Sequence, residues 1–532
     1  MSFVDILPLE IVHEILSRCI DESDFIDDWP GRPSGTSLKG LPNYPTSFLG
    51  VCKTWAEAAL ACPKLWSSIP IRIGEELGRR RQYTPYYPPL RVIEAWIRWS
   101  SPTRAPLAIS IRPLVVADAA TPRYASSVIR LIEDVLLPHH GRWWKIAFWL
   151  SFGHLPSALE TIAVHAKGFP ALEHVSLVGQ LERRRLVQFL NNVPSLNSLH
   201  IVPSGPRNAP STLDPASLGS TVPWNYIRSI RLGEFEGRDH DAESALVLMR
   251  GCPRLEALQI PMQRPGNPSL ENMNLPVTRH DLLRELSLEG SSRRQCIVFF
   301  QHLTLPNLKS VALNFTDGFG EHDMVRSTAE SFRDFVSRSR CVLDEFTYRR
   351  LVPCFGKRTQ PHPSHLVLPF LPIVSPSVTR LFVEIGRQEA DDFINDLTHL
   401  ASRPGGDLNL SVCPLLRHLT LIIWAPDAVS QSARLFRFIR SRWLKPAGRD
   451  TGFAELQTAL LEIDIEENSL PRLGFHLLAS ESNVVHSAES IREFHRHLGG
   501  LVYGLTGPTC RGIQLTIVEG DRVQSSRSFG VV

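Results

Sequence analysis

Aliphatic residues recur at the first, fourth and sixth positions of a short segment along most of this chain, and no other feature restricts its fold as much. The clear copies are Leu172/Val175/Leu177, Leu196/Leu199/Ile201, Ile227/Ile230/Leu232, Leu255/Leu258/Ile260, Leu283/Leu286/Leu288, Leu308/Val311/Leu313, Val378/Leu381/Val383 and Leu416/Leu419/Leu421, with a degenerate copy at Leu343/Phe346. Several are announced by proline, as in Val193-Pro194-Ser195-Leu196 and Cys252-Pro253-Arg254-Leu255, where the ring ends a preceding helix. Helix-like stretches lie between copies, among them Arg185 to Leu190, Ala245 to Arg250 and Phe332 to Val336. Each period therefore reads as one strand followed by one helix.

One such unit cannot bury its own aliphatic side, so neighbours have to stack. The expectation is an α/β chain with parallel strands inside and helices outside; an ordinary doubly wound α/β domain is the alternative. Earlier strands are expected at Leu107-Ala108-Ile109-Ser110-Ile111 and from Trp144 to Trp149, and a last one from Gly512 to Val518. Strand alternation turns the third and fifth positions to the opposite face. His174, Ser176, His200, Arg231, Gln259, Ser287, Thr347 and Phe382 stand there, a face without the row of cations and stacking aromatics of a nucleic-acid groove.

The amino terminus carries a different pattern. Ile11, Val12, Ile15, Leu16, Cys19 and Ile20 share one helical face behind Pro8, whose missing N–H costs nothing in a first turn. After a polar stretch at 21–46, Ser47 is placed to cap a second helix bearing Phe48, Val51, Cys52, Trp55, Ala59 and Cys62, which Pro63 ends. Three short helices cannot bury Leu7, Ile11, Ile15, Val51, Trp55, Leu65 and Trp66 among themselves, and an uncovered apolar patch marks an interface. The alternative is a helical cap on the strands that follow, with every apolar residue turned inward.

The pieces Ile6-Leu7-Pro8-Leu9-Glu10-Ile11 with Ile15-Leu16, Val51-Cys52-Lys53-Thr54-Trp55 and Pro63-Lys64-Leu65-Trp66 resemble the F-box motif, and the 21–46 insert is longer than that motif's usual loop. The repeated L-x-x-L-x-L core, with 24 to 40 residues between copies, resembles leucine-rich repeats of an irregular, long-period kind. These resemblances imply a three-helix F-box over residues 1–70 and a curved leucine-rich-repeat solenoid over 71–532, including two or three irregular leading units. They also imply docking on a Skp1-type partner, and through it a cullin, by Leu7, Pro8, Leu9, Ile11, Ile15, Leu16, Val51, Cys52, Trp55, Leu65 and Trp66. The implied function is a non-catalytic adaptor that brings a protein target to a ubiquitin ligase; a scaffold or inhibitor acting outside a ligase is the alternative.

A net charge of +3 on 532 residues gives no long-range attraction for nucleic acid or anionic membrane. The nine cysteines show no C-x-x-C pair and no zinc spacing, which reads as reduced thiols in apolar stretches. The start lacks a basic region followed by an apolar run, and no apolar stretch is long enough to span a bilayer, so a cytoplasmic or nuclear protein is expected. Phosphate-loop, dinucleotide, zinc-protease and nucleophile-elbow motifs are missing, so neither catalysis nor a cofactor is expected. An enzyme with a site in the loops would instead show a deep pocket with perturbed titratable groups. Arginines and lysines from Arg333 to Arg358 read as a loop leaving the array at the degenerate copy, and Arg79-Arg80-Arg81 with Tyr83, Tyr86 and Tyr87 as a surface connector.

Overall fold

The computed structural model describes residues 8–18, 45–73, 86–113, 125–150, 154–165, 168–203, 224–233, 241–262, 275–315, 322–350, 369–374, 376–386, 413, 415–424 and 458–464. The chain divides into two compact units, residues 1–264 and 265–532. Each is α/β and built on a parallel sheet.

In the first unit the strands β1 (Ser68–Ile73), β3 (Leu107–Pro113), β4 (Trp143–Leu150), β5 (His174–Gly179), β6 (Ser198–Pro203), β7 (Ser229–Leu232) and β8 (Ala257–Gln259) lie side by side in chain order, all parallel. The short β2 (Tyr86–Tyr87) pairs antiparallel on the outer side of β1. Register follows the aliphatic ladder. Ile69, Ile109, Ile146, Val175, Leu199, Ile230 and Leu258 form one continuous row across the sheet. A slip by one residue would carry every one of these side chains to the other face, so the pattern fixes the pairing. Helices α3 (Leu90–Trp99), α4 (Ala125–Arg130), α5 (His154–His165), α6 (Arg183–Asn191) and α7 (Ala242–Gly251) connect the strands. The ladder side chains of the copies from 172 to 260 are no more than 5% exposed, so this row is the core.

In the second unit β10 (Glu285–Ser291), β12 (Ser310–Phe315), β13 (Glu345–Arg350), β14 (Arg380–Gly386), β15 (His418–Trp424) and β16 (Thr458–Asp464) are again parallel and sequential. β9 (Thr278–Arg279) and β11 (Leu303–Thr304) form a separate parallel pair. Leu288, Leu313, Tyr348, Val383, Leu421 and Leu461 stand in one row. Helices α8 (Arg293–Gln301), α9 (His322–Ser339) and α10 (Leu371–Val374) complete the unit. Its core is aromatic: Phe300 stacks on Phe335 at 5.3 Å, and Phe332 meets Phe346 at 6.2 Å and Phe370 at 5.8 Å.

Several expectations change at this point. The copy at Leu343/Phe346 is complete, because Tyr348, 1% exposed, takes the sixth position. Arg333 and Arg338 belong to α9, and Arg349 and Arg350 to β13, rather than to a loop; Lys357 and Arg358 lie outside the described residues. The helix expected from Phe332 to Val336 runs from His322 to Ser339. The last strand expected at 512–518 lies outside the described residues, whereas β16 was not anticipated. No helix among the described residues is long and apolar enough to cross a membrane.

Candidate docking surface at the amino-terminal helices

Helix α1 (Leu9–Arg18) begins immediately after Pro8, whose carbonyl accepts from the N–H groups of Ile11 and Val12 at 3.0 and 3.1 Å. Pro8 therefore sits at the N-cap rather than in the first turn. The second helix is shorter than its apolar stripe suggested. A 3-10 turn over Pro45–Gly50 comes first, then Cys52 in extended conformation (φ −162°, ψ 172°), and α2 runs only over Lys53–Leu60. Cys62, which precedes proline, is non-helical at φ −109°, ψ 83°, and a 3-10 turn over Pro63–Trp66 follows.

These segments have an inner and an outer side. Val12, Leu16, Ala58, Ala59, Leu65 and Trp66 are at most 2% exposed. The Trp66 indole N–H donates to the Ala59 carbonyl at 2.7 Å, and its ring meets Trp96 and Trp99 of α3 at 6.4 and 4.5 Å. Burial of Trp66 is thus supplied by α3, an element outside the three short helices. Of the expected docking residues, Leu16, Leu65 and Trp66 hold this frame and do not present themselves to a partner. A more economical reading of Trp66 was available in the sequence: Trp66, Ile69 and Ile71 occupy the first, fourth and sixth ladder positions, announced by Pro63.

On the outer side Ile11 is 47% and Val51 50% exposed, and Pro8 is exposed as well. Ile15, Cys52 and Trp55 are half-buried, with Phe48 lying 6.1 Å from the Trp55 ring. The Trp55 indole nitrogen is occluded and has no hydrogen-bond partner among the described residues. Leu60, 41% exposed, was missed by sequence reasoning. Its signal was present, since Lys53, Glu57 and Leu60 follow one helical spacing and Lys53 and Glu57 are exposed. Leu7 and the side chain of Leu9 lie outside the described residues.

The exposed Ile11, Val51 and Leu60 side chains offer apolar contact. Cys52 and Cys62 are unbridged thiols, as are Cys252, Cys296, Cys341 and Cys413 in the interior. Burial pushes the Cys252 thiol up to about 12 and Cys341 up to about 11, so both stay protonated at neutral pH. Among the described residues no group of three or more His, Cys, Asp and Glu is placed to hold a metal ion. No protein-family model matches the chain, and no curated protein matches its sequence.

Proposed function

We propose that this protein is a non-catalytic adaptor whose amino-terminal helices dock a Skp1-type subunit, and through it a cullin, while its repeats hold a protein target for ubiquitination in the cytoplasm or nucleus. In this reading residues 1–70 are an F-box and residues 71–532 a leucine-rich-repeat solenoid. The observation that carries it is the two-sided amino-terminal frame. Leu16, Leu65 and Trp66 lock the helices from inside, while Ile11 and Val51 stay about half exposed, Pro8 is exposed, and Ile15, Cys52 and Trp55 are half-buried. Apolar side chains that large, held on a rigid backing, suit a partner helix better than water. Within each of the two units, sequential parallel strands in ladder register support the solenoid half of the reading, since among the described residues a ladder strand pairs with the ladder strands next to it in sequence.

Capture of a Skp1-type protein by the full-length chain tests this. Ile11→Asp and Val51→Asp change exposed positions, so circular dichroism and melting temperature are expected to stay at wild-type values. Binding is expected to weaken by about 2 kcal/mol or more, roughly thirtyfold, if these are central anchors. Failure of the folded wild-type chain to capture the subunit would end the proposal.

A further inference from the structure

At the strand-entry end of the first unit's sheet lies an open pocket of about 510 Å³. One wall is the loop between α3 and β3, with Ser101, Arg104 and Pro106. The other is the 3-10 segment Leu137–Arg142 that leads into β4, with His139, Gly141 and Arg142, and Ala171 closes it ahead of β5. Three of the seven lining residues are basic and none is acidic.

Arg142 organises the site. Its Nε and Nη2 donate to the Ala105 carbonyl at 3.0 and 2.8 Å, Nη2 also to the Ser100 carbonyl at 2.9 Å and hydroxyl at 2.8 Å, and Nη1 to the Ser101 hydroxyl at 3.0 Å. Every one of these acceptors is neutral, so the loop is wrapped around a charge that it orients without cancelling. Arg104 is the other arm. It stands in the left-handed backbone region at φ +51°, where residues other than glycine are uncommon. It is exposed, and its guanidinium makes no hydrogen bond or ion pair among the described residues. Arg340 and Cys413 take the same conformation ahead of β13 and β15, so it belongs to the turn that leads into a strand. His139, which also lines the pocket, is half-buried.

We propose that this pocket binds a phosphate monoester: the free fork of Arg104 makes the bidentate contact, and the loop-bound Arg142 supplies further positive potential. Planar guanidinium donors match phosphate oxygens, and two guanidinium groups around one cavity suit a dianion better than a single carboxylate. Burial and then the charge of Arg142 lower the pKa of His139, so its ring lines the pocket as a neutral group at neutral pH. The site stands whether or not the amino-terminal helices bind a Skp1-type subunit, because it shares no residue with that surface.

Calorimetric titration of the full-length chain with inorganic phosphate, with a phosphoserine peptide and with the same peptide unphosphorylated tests the proposal. The expected result is binding of the two phosphorylated probes and not of the third. A tighter peptide would identify a modified protein as the source, and equal affinities a free phosphate compound. Arg104→Gly removes the fork at a position whose backbone suits glycine. It is expected to weaken phosphate binding about tenfold or more with no loss of melting temperature. Absence of binding by folded wild type, or unchanged affinity in Arg104→Gly, would overturn the assignment.

Discussion

His200 stands at the fifth ladder position on β6, facing away from the aliphatic core, yet it is only 9% exposed. Its Nδ1 lies 2.9 Å from the Ser176 hydroxyl, and its occluded Nε2 has no hydrogen-bond partner among the described residues. Burial first, then the charges of Arg231 and Arg112, lower its pKa from 6.5 to about 4. Between those two values the unfolded chain takes up a proton that the folded chain refuses, so stability falls as pH drops through the window and is unaffected above it. The full effect is on the order of 3 kcal/mol, about 2 kcal/mol of it reached by pH 5. Urea unfolding at pH 7 and pH 5 checks this: His200→Gln is expected to lose about 2 kcal/mol less between the two conditions than wild type. An equal loss would mean that His200 does not titrate this way. Gly179 offers a steric counterpart at the end of β5. Its φ is +148°, and a Cβ would lie 1.9 Å from the Leu150 carbonyl oxygen of β4. Gly179→Ala is expected to cost roughly 3 kcal/mol or more in denaturant midpoints, because neither backbone can yield without breaking the pairing. Gly50→Ala, with nothing within 4 Å of the added carbon, should stay within about 0.5 kcal/mol.

At the scale of elements, the strands were legible because their side chains obey one rule: buried at the fourth and sixth positions, on the other face at the third and fifth. The rule failed to reveal β1 because its first rung is Trp66 and a proline interrupts it at Pro70, so an aliphatic search passes over it. Helix ends were less legible. The stripe through Phe48, Val51, Cys52 and Trp55 has helical spacing, but the backbone turns extended at Cys52, and only tertiary contact decides which apolar residues face inward. Side-chain clamps across elements have no sequence signature at all. Arg338 near the end of α9 donates from Nη2 to the carbonyls of Phe300 in α8 and Leu303 in β11, the latter at 2.8 Å. The Ser339 hydroxyl next to it accepts from the Leu305 N–H at 3.0 Å. Arg338→Leu leaves those carbonyls without their donor while keeping the apolar stem, and is expected to cost about 2 kcal/mol. Chemical denaturation measures this, and a loss below about 0.5 kcal/mol would show that water replaces the guanidinium freely.

At the scale of the whole molecule, a repeat array and a doubly wound domain make opposite demands on cooperativity. Both place helices against parallel strands. In the array each strand is bonded to its predecessor and successor, so damage spreads to neighbouring units and fades with distance. A doubly wound sheet has one shared core and unfolds as a block. Leu199 on β6 is 2% exposed and pairs in register with Val175 on β5 and Ile230 on β7, which makes it a rung held from both sides. Leu199→Asp places a carboxylate in that row and requires local separation of the three strands. Under the repeat reading, hydrogen exchange is expected to accelerate in 174–179, 198–203 and 229–232, while 310–315, 345–350 and 380–386 keep wild-type protection. Mass spectrometry of peptides from those six strands resolves the two sets. Equal loss of protection in both sets would mean that the ladder closes a single cooperative core, and the solenoid half of the functional proposal would fall, whatever the amino-terminal helices bind.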